Sequence, residues 1–462
     1  MFKLILSYLP SIIIPTIITI VTTIVYGNYM DPTYYGDYNL FINTVSIINL
    51  LIFSFITSSI VRFYNRYKVN NTQSELISTY FFVTLGIFLI VTILAYPFIK
   101  EQSFYLGICT ACLAFFNLFS NLLRVSESVK WFNCIKIMVP LFTLLIIIMY
   151  IFLDELNTVV SVYAMYLPMA AVSVILTITF VLSKQINFSL NFSLLKQTLY
   201  YGYPLALSGL LNQLLSSSDR YVIKYFLGSK EVGLYSFSYR IGELAMINIM
   251  MIVMMALYPQ LVKTFELQGK EKTEYLLSKY LGVHFLTSIP VIFIIFIFID
   301  KVMEIFFPVY SEGALIVKLI PIGILFFTTS AYTSKAFELT NNTQKMLGIL
   351  FICGVINFSL NVLLIPKMGV YGAVVSTIVC YVIYILISIK VSKKFFNIII
   401  PYKDISYILI LNIFISLIVI LLMNTLSTSL EILNVLCGLS VYLLLYTAIT
   451  YFLIKKKLFT IK

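Results

Sequence analysis

The chain has 462 residues, 61% of them hydrophobic and only 11% charged, with a mean hydropathy of +1.00 and a formal net charge of +12. That charge fraction is less than half the quarter usual in a soluble domain, and apolar runs of roughly 20 residues, long enough to cross a hydrocarbon core, recur from end to end. A soluble globular enzyme is thereby excluded, as is a membrane β-barrel, which would alternate in short segments; the basic excess is no nucleic-acid footprint, because Lys and Arg fall singly or in small groups between the apolar runs.

The N-terminus carries Lys3 and then runs apolar from Leu4 to Val25 without a small-residue cleavage pattern, so it reads as a first spanning helix. Further spans are expected at Leu40–Val61, Thr79–Ile99, Phe104–Leu123, Ile135–Leu153, Val159–Leu182 and Leu199–Tyr221. They continue at Val232–Leu261, Tyr280–Ile299, Ala314–Thr333, Met346–Ile365, Gly372–Ile389, Ile405–Met423 and Ile432–Ile454. With the first at Ile5–Tyr26, this makes an all-α polytopic membrane protein of about fourteen transmembrane helices, an even number that puts both termini on one side.

Charge chooses the side. With the termini cytoplasmic, only Lys100, Lys224, Lys230, Lys301, Lys318 and Lys367 among the 31 Lys and Arg fall outside, while Arg220 and Arg240 stay within helices. The rest, from Lys3 to Lys456, Lys457 and Lys462, fall inside, as a positive-inside bias requires. The longest inner loops, Lys184–Lys196, Lys263–Lys279 and Lys390–Lys403, are too short to fold as a catalytic module.

Three echoes suggest an internal repeat. Tyr35-Gly36-Asp37-Tyr38 resembles Val232-Gly233-Leu234-Tyr235, Val61-Arg62 resembles Val262-Lys263, and Arg124-Val-Ser-Glu127 resembles Lys335-Ala-Phe-Glu338. They keep their order, and each pairs spans six apart, so the units share an orientation, as parallel repeats do. The expected plan is an N-terminal six-helix lobe (1–183), an inter-lobe linker (184–198), a C-terminal six-helix lobe (199–392) and an added helix pair (393–462), the lobes flanking a central cleft. Two such lobes can rock to open a cleft to either side, which is transporter logic.

Charges inside or beside the spans mark the candidate site, because ionised groups in hydrocarbon need a partner or a polar cavity. Ser216, Asp219 and Arg220 share one helix face and read either as cleft lining or as a structural ion pair. Glu243 can serve Arg240, three residues before it, or Arg220, and the planar guanidinium of Arg240 suits a phosphate. Arg124 with Glu127 and Lys335 with Glu338 occupy equivalent span ends, where they serve as positive-inside anchors or as cations at a mouth; Arg62 carries the same ambiguity. Asn117, Asn121, Asn212, Gln213, Asn357 and Asn361 add hydrogen-bonding faces suited to sugar hydroxyls or to helix packing. Pro15, Pro168, Pro204, Pro290 and Pro321 interrupt spans, and Pro366 to Gly372 reads as a tight turn. The 34 Tyr and 38 Phe are assigned to interfacial belts and lipid-facing packing. The six Cys lack ligand spacing, His284 lacks ligating neighbours, and neither a phosphate-cradling loop nor a paired-carboxylate motif is present, so no metal, cofactor or enzyme chemistry is expected.

The stretch Ser216-Ser-Ser-Asp-Arg220, with Phe226-Leu-Gly228 and Val232-Gly-Leu-Tyr235-Ser-Phe-Ser-Tyr239, resembles the polysaccharide transporter family, as does Asn361 through Pro366 and Gly369 to Gly372-Ala. That family holds the O-antigen and capsule repeat-unit flippases, in the superfamily of multidrug/toxic-compound exporters and lipid II flippases. The resemblance implies a bacterial inner-membrane flippase that moves undecaprenyl-diphosphate-linked oligosaccharide to the outer leaflet for O-antigen, capsule or exopolysaccharide synthesis. Membrane lipid, a polysaccharide polymerase and a chain-length regulator are its implied partners, with a proton or sodium gradient as drive. It implies cleft-facing charges at Arg62, Arg124, Asp219, Arg220, Arg240 and Lys335; Asn121 and Asn212 join them as expected substrate contacts, and Asp219 and Glu243 as coupling carboxylates. A small-molecule exporter of the same superfamily and, from another class, a membrane glycan polymerase or ligase are the rival readings.

Overall fold

In the computed structural model, which describes residues 7–340, 342–425 and 431–455, every regular element is helical. The start of the first expected span at Ile5, with Lys3, Lys456, Lys457 and Lys462, lies outside the described residues. The helices are α1 (Pro10–Tyr29), α2 (Pro32–Ile52), α3 (Ser54–Val69), α4 (Gln73–Val125), α5 (Val129–Phe152), α6 (Thr158–Leu182) and α7 (Phe192–Leu227). They continue as α8 (Ser229–Phe306), a 3-10 turn at Pro308–Gly313, α9 (Ala314–Leu339), α10 (Thr343–Met368), α11 (Val370–Ser392), α12 (Tyr402–Thr425) and α13 (Glu431–Lys455).

Twelve helical stretches among the described residues are long and apolar enough to cross a membrane, or thirteen with the bent pair α2–α3 counted as one span. Fourteen were expected from the sequence. The remaining expected span lies in α7, where Gln213, the serines 216–218, Asp219 and Arg220 dilute an otherwise apolar helix. One expected break is bridged by helix and another is shortened. The α4 segment runs unbroken from residue 73 to 125, whereas the expected inner loop at 263–279 is reduced to a break at one residue between two helical halves of α8. Within α8 the turn is made at Gly269, whose φ of 79° suits a residue without Cβ.

The expected span Leu40–Val61 is instead broken at Phe53, where α2 and α3 meet at 52°. Neither Pro nor Gly stands there. The Ser54 hydroxyl donates to the Leu50 carbonyl at 2.5 Å, a side chain intruding on the ladder of the kind that bends helices. The turn from α10 to α11 follows the sequence reading: Gly369 adopts φ 61°, and a Cβ on Gly372 would lie 2.5 Å from the Leu364 carbonyl carbon.

The chain forms two compact units, Met1–Ser217 and Ser218–Lys462, dividing within α7. In the first, α1 packs on α5, α3 on α4, and α6 on α4 and α5. Gly202 brings α7 against α3 so closely that a Cβ would sit 2.2 Å from the Phe55 carbonyl oxygen. In the second, α9 is embraced by α8 and α11, and α10 lies on α11. The final pair α12–α13 docks on α8 through an apolar cluster of Phe298, Leu411, Ile415, Val419 and Tyr442.

Each unit also pins an extended segment with a carboxylate and hydroxyls from one helix. In the first, Asn187 N–H donates to Ser78 Oγ (2.8 Å), and Asn191 donates its backbone N–H to Thr79 Oγ1 (3.1 Å) and its amide to Glu75 Oε1 (2.8 Å). In the second, Asn397 N–H donates to Glu274 Oε1 (2.7 Å) and Ile399 N–H to Ser278 Oγ (2.9 Å).

Candidate functional site

The polar run near the end of α7 meets the start of α8 and buries its charge there. Asp219 and Arg220 are 2% and 8% exposed. Asp219 Oδ1 accepts from the Arg220 backbone N–H at 2.8 Å and from its Nη1 at 3.2 Å, while Oδ2 accepts the Tyr235 hydroxyl at 2.5 Å. The guanidinium lies 4.9 Å from the Tyr239 ring centroid and 5.8 Å from that of Tyr235. Tyr239 in turn reaches Tyr381 of α11, hydroxyl to hydroxyl, at 3.3 Å. A charge pair taken out of water survives only when the remaining hydrogen-bonding directions are met. Here the tyrosines contribute to that: one hydroxyl for the anion, and two ring faces beside the cation.

Beside this pair, Ser218 donates to Asn357 Oδ1 at 3.3 Å, and Asn361 Nδ2 donates to the same oxygen at 3.0 Å. The Asn357 amide nitrogen and the Asn361 carbonyl oxygen, both buried, have no hydrogen-bond partner among the described residues. One turn further along α8, Arg240 Nη1 donates to Glu243 Oε2 at 3.2 Å, with 42% of the arginine side chain exposed. Of the two partners open to Glu243, the structure chooses Arg240. On α9, Lys335 donates to both carboxylate oxygens of Glu338, at 2.8 and 2.7 Å, and its ammonium lies 4.8 Å from the Tyr258 ring centroid.

The first unit holds the other candidates. Arg62 is exposed on α3 with its guanidinium 4.2 Å from the Tyr201 ring centroid. Arg124 donates to Asn121 Oδ1 at 2.9 Å, and no ion pair joins it to Glu127 among the described residues; Glu127 sits in the turn beyond α4 with φ 58°. Asn121 donates its amide to the Asn117 carbonyl at 2.9 Å. Half-buried Asn212 lies one residue before Gln213, which reaches across to Asn43 Oδ1 at 3.0 Å. Thus Asp219, Arg220, Arg240, Glu243 and Lys335 belong to the second unit, and Arg62, Arg124, Asn121 and Asn212 to the first.

The tyrosines were missed. Sequence reasoning sent them to interfacial belts, yet Tyr201, Tyr235, Tyr239 and Tyr258 each lie under a candidate cation. Only Tyr235 and Tyr239 carried a signal, an i, i+4 pair just ahead of Arg240. His284 is fully buried and satisfied, Nε2 against Thr328 Oγ1 at 3.0 Å and Nδ1 against Ser288 Oγ at 3.3 Å. Among the described residues no group of His, Cys, Asp and Glu could hold a metal ion.

The family model described as polysaccharide biosynthesis protein matches residues 2–265, more than half of the chain, and the MatE model matches residues 204–363. The uncharacterized membrane protein MJ1068 of Methanocaldococcus jannaschii is 24% identical over 281 residues, 57% of this chain and 54% of that protein. The probable low-salt glycan biosynthesis flippase Agl15 of Haloferax volcanii is 24% identical over 190 residues, 41% of this chain and 40% of that protein. The chain therefore spans about half the length, or less, of these curated relatives. Among solved structures, the lipid II flippase MurJ in an inward closed conformation aligns with a TM-score of 0.73 at 14% identity, covering 98% of this chain and all of that one. An inward-facing multidrug resistance MATE family transporter aligns at 0.70 and 14% identity, covering 87% of this chain and 98% of that one. Identity that low speaks to the fold alone.

Proposed function

Since the chain belongs to the polysaccharide biosynthesis protein family, within the superfamily that unites polysaccharide flippases with MATE-like transporters, we propose that it is a flippase for lipid-linked oligosaccharide. The substrate class is a polyprenyl diphosphate glycan, with undecaprenyl diphosphate the carrier implied by the sequence resemblance. A diphosphate sugar head cannot enter hydrocarbon alone, because its charges and hydroxyls would lose water without replacement. A polar passage between two six-helix lobes, with the helix pair 393–462 added, would replace that hydration while the polyprenyl tail stayed in lipid. Rocking of the lobes would then present the head to the outer leaflet, and no covalent step is needed.

One observation carries this reading: Arg62, Arg220 and Lys335 each lie over a tyrosine ring. A cation beside an aromatic face offers a phosphate a charge-assisted donor and a sugar ring an apolar platform. Arg62 and Arg240 retain exposure for such contact, with Arg124, Asn121 and Asn212 as further contacts. Asp219 and Arg220, buried with Tyr235 and Tyr239, act by fixing the end of α7 against the start of α8. The matching polar clips at Glu75 and Glu274 support the parallel repeat, and the distribution of lysines supports cytoplasmic termini. A polymerase and a chain-length regulator would act on the flipped product.

The test is leaflet-resolved detection of lipid-linked oligosaccharide in vesicles with and without the protein. Leaflet exchange without new glycosidic bonds is expected, and intact asymmetry would reject the flippase. The MatE match over 204–363 favours a second reading, export of small molecules; cationic-dye efflux from the same vesicles, with the glycan lipid unmoved, would select it. Coupling to a proton gradient would run through Asp219 or Glu243, and pH dependence surviving in both D219N and E243Q would reject that route.

A further inference from the structure

The extended segments that follow α6 and α11 carry large apolar side chains on their outer as well as their inner side. Hydrogen bonds tie their backbone to the protein: the N–H groups of Asn187 and Asn191 donate to Ser78 and Thr79, the Asn191 side-chain amide to Glu75, and the N–H groups of 397 and 399 to Glu274 and Ser278. Ile186, Phe396 and Ile398 are buried beneath them. Other large apolar side chains face out. Phe188 is 94% exposed, with its ring against Phe82, and Ile399 is 66% exposed; Phe192 and Tyr402, which open α7 and α12, are 76% and 71% exposed. In water each of these side chains forfeits burial.

Both segments are also bracketed by exposed lysines, Lys184 and Lys196 around the first, Lys393, Lys394 and Lys403 around the second. Neither contains an acidic residue between its lysines. Each follows directly on a helix that qualifies as a membrane span, Thr158–Leu182 or Val370–Ser392, so each begins where hydrocarbon gives way to headgroups. Outward aromatic and branched side chains flanked by lysines fit an interface of acyl chains topped by negative charge.

We propose that residues 184–196 and 393–403 are repeat-related anchors that dock on an anionic phospholipid leaflet. The apolar side chains enter the upper acyl layer, the lysines pair with lipid phosphates, and the Glu75 and Glu274 clips hold the backbone at that depth. This binding surface does not depend on what the protein carries.

Replacing the one native tryptophan by Trp131→Phe leaves a silent background for Phe188→Trp or, independently, Ile399→Trp. Each variant is reconstituted in vesicles of phosphatidylcholine and phosphatidylglycerol, with one or the other lipid brominated at equal mole fraction. Quenching of both fluorophores is expected, stronger with the brominated anionic lipid, whose local enrichment should be roughly fivefold per nearby lysine. K184Q/K196Q should erase that preference for F188W and leave it intact for I399W. Fluorophores reached by aqueous iodide and by neither brominated lipid would overturn the proposal and point to water or a protein partner. Equal quenching by the two lipids would overturn the anionic preference.

Discussion

The Tyr446 hydroxyl donates to the carbonyl oxygen of Leu286 at 2.6 Å, and Leu286 stands four residues before Pro290 in α8. Proline has no N–H, so this carbonyl loses its helical donor. The last helix supplies the substitute. Tyr442 lies one turn earlier, its hydroxyl on Asn412 of α12 and 3.5 Å from the Pro290 carbonyl.

Tyr446→Phe should therefore destabilise the protein by about 1–2 kcal/mol, the cost of a buried carbonyl left unmet, moderated by the alternatives a membrane protein finds. Tyr451→Phe, on a 70% exposed side chain of the same helix, is the control and should change little. Thermal unfolding in detergent micelles measures both. Equal midpoints for the two variants would mean that Leu286 is served by another donor.

Asp219→Asn removes the charge opposite buried Arg220 while keeping the shape. Breaking a buried pair from one side leaves an uncompensated cation and costs about 3–5 kcal/mol, so folded yield should fall sharply. The double variant D219N/R220Q removes both charges and should recover most of that loss without recovering glycan-lipid transport. Tyr235→Phe, which deletes the donor to Oδ2, should fall between them. A double variant as unstable as D219N would show that the charges act separately.

These two sites also show what the sequence could reveal. Contacts within one helix were readable from spacing: Asp219 with Arg220, and Lys335 with Glu338 at i, i+3. Contacts between helices were not, because an apolar run says which residues are buried but not which faces meet. Tyr235 reaches Asp219 from the next helix, and Tyr446 reaches Leu286 across 160 residues. The bend at Phe53 was hidden for a different reason, since only a serine hydroxyl bonded back onto the preceding turn stands at it and neither proline nor glycine marks it. Apolar runs did reveal the helices, whereas the narrowing of the expected inner loop within α8 to a break at one residue, Gly269, depended on backbone conformation.

Arg62 separates structural from functional charge. It is exposed and rests on Tyr201, a contact worth about 0.5–1 kcal/mol at such a site. Arg62→Ala should leave the unfolding midpoint nearly unchanged yet slow glycan-lipid exchange about tenfold or more, the loss expected for one charge-assisted phosphate contact. Arg62→Lys keeps the charge without the fork and should lie between. A fall in stability with unchanged exchange per folded molecule would assign Arg62 to packing alone.

The paired clips give the most direct check on the repeat. Glu274 Oε1 accepts the Asn397 N–H, and Glu75 Oε1 accepts the Asn191 side-chain amide. Lys270 approaches Glu274 only at 3.8 Å, so the backbone donor is its shorter partner. Glu274→Ala should expose the Asn397 amide to solvent and speed its hydrogen exchange. Glu274→Gln retains an acceptor oxygen and should keep most of the protection. Glu75→Ala should do the same to the segment around Asn191, where the Ser78 and Thr79 bonds at 2.8 and 3.1 Å would remain and soften the effect. Hydrogen exchange read by mass spectrometry on the two linker peptides decides it. Protection unchanged at 397 in Glu274→Ala would mean that the apolar contacts of Phe396 and Ile398, both in the cluster beneath, hold the segment without the clip.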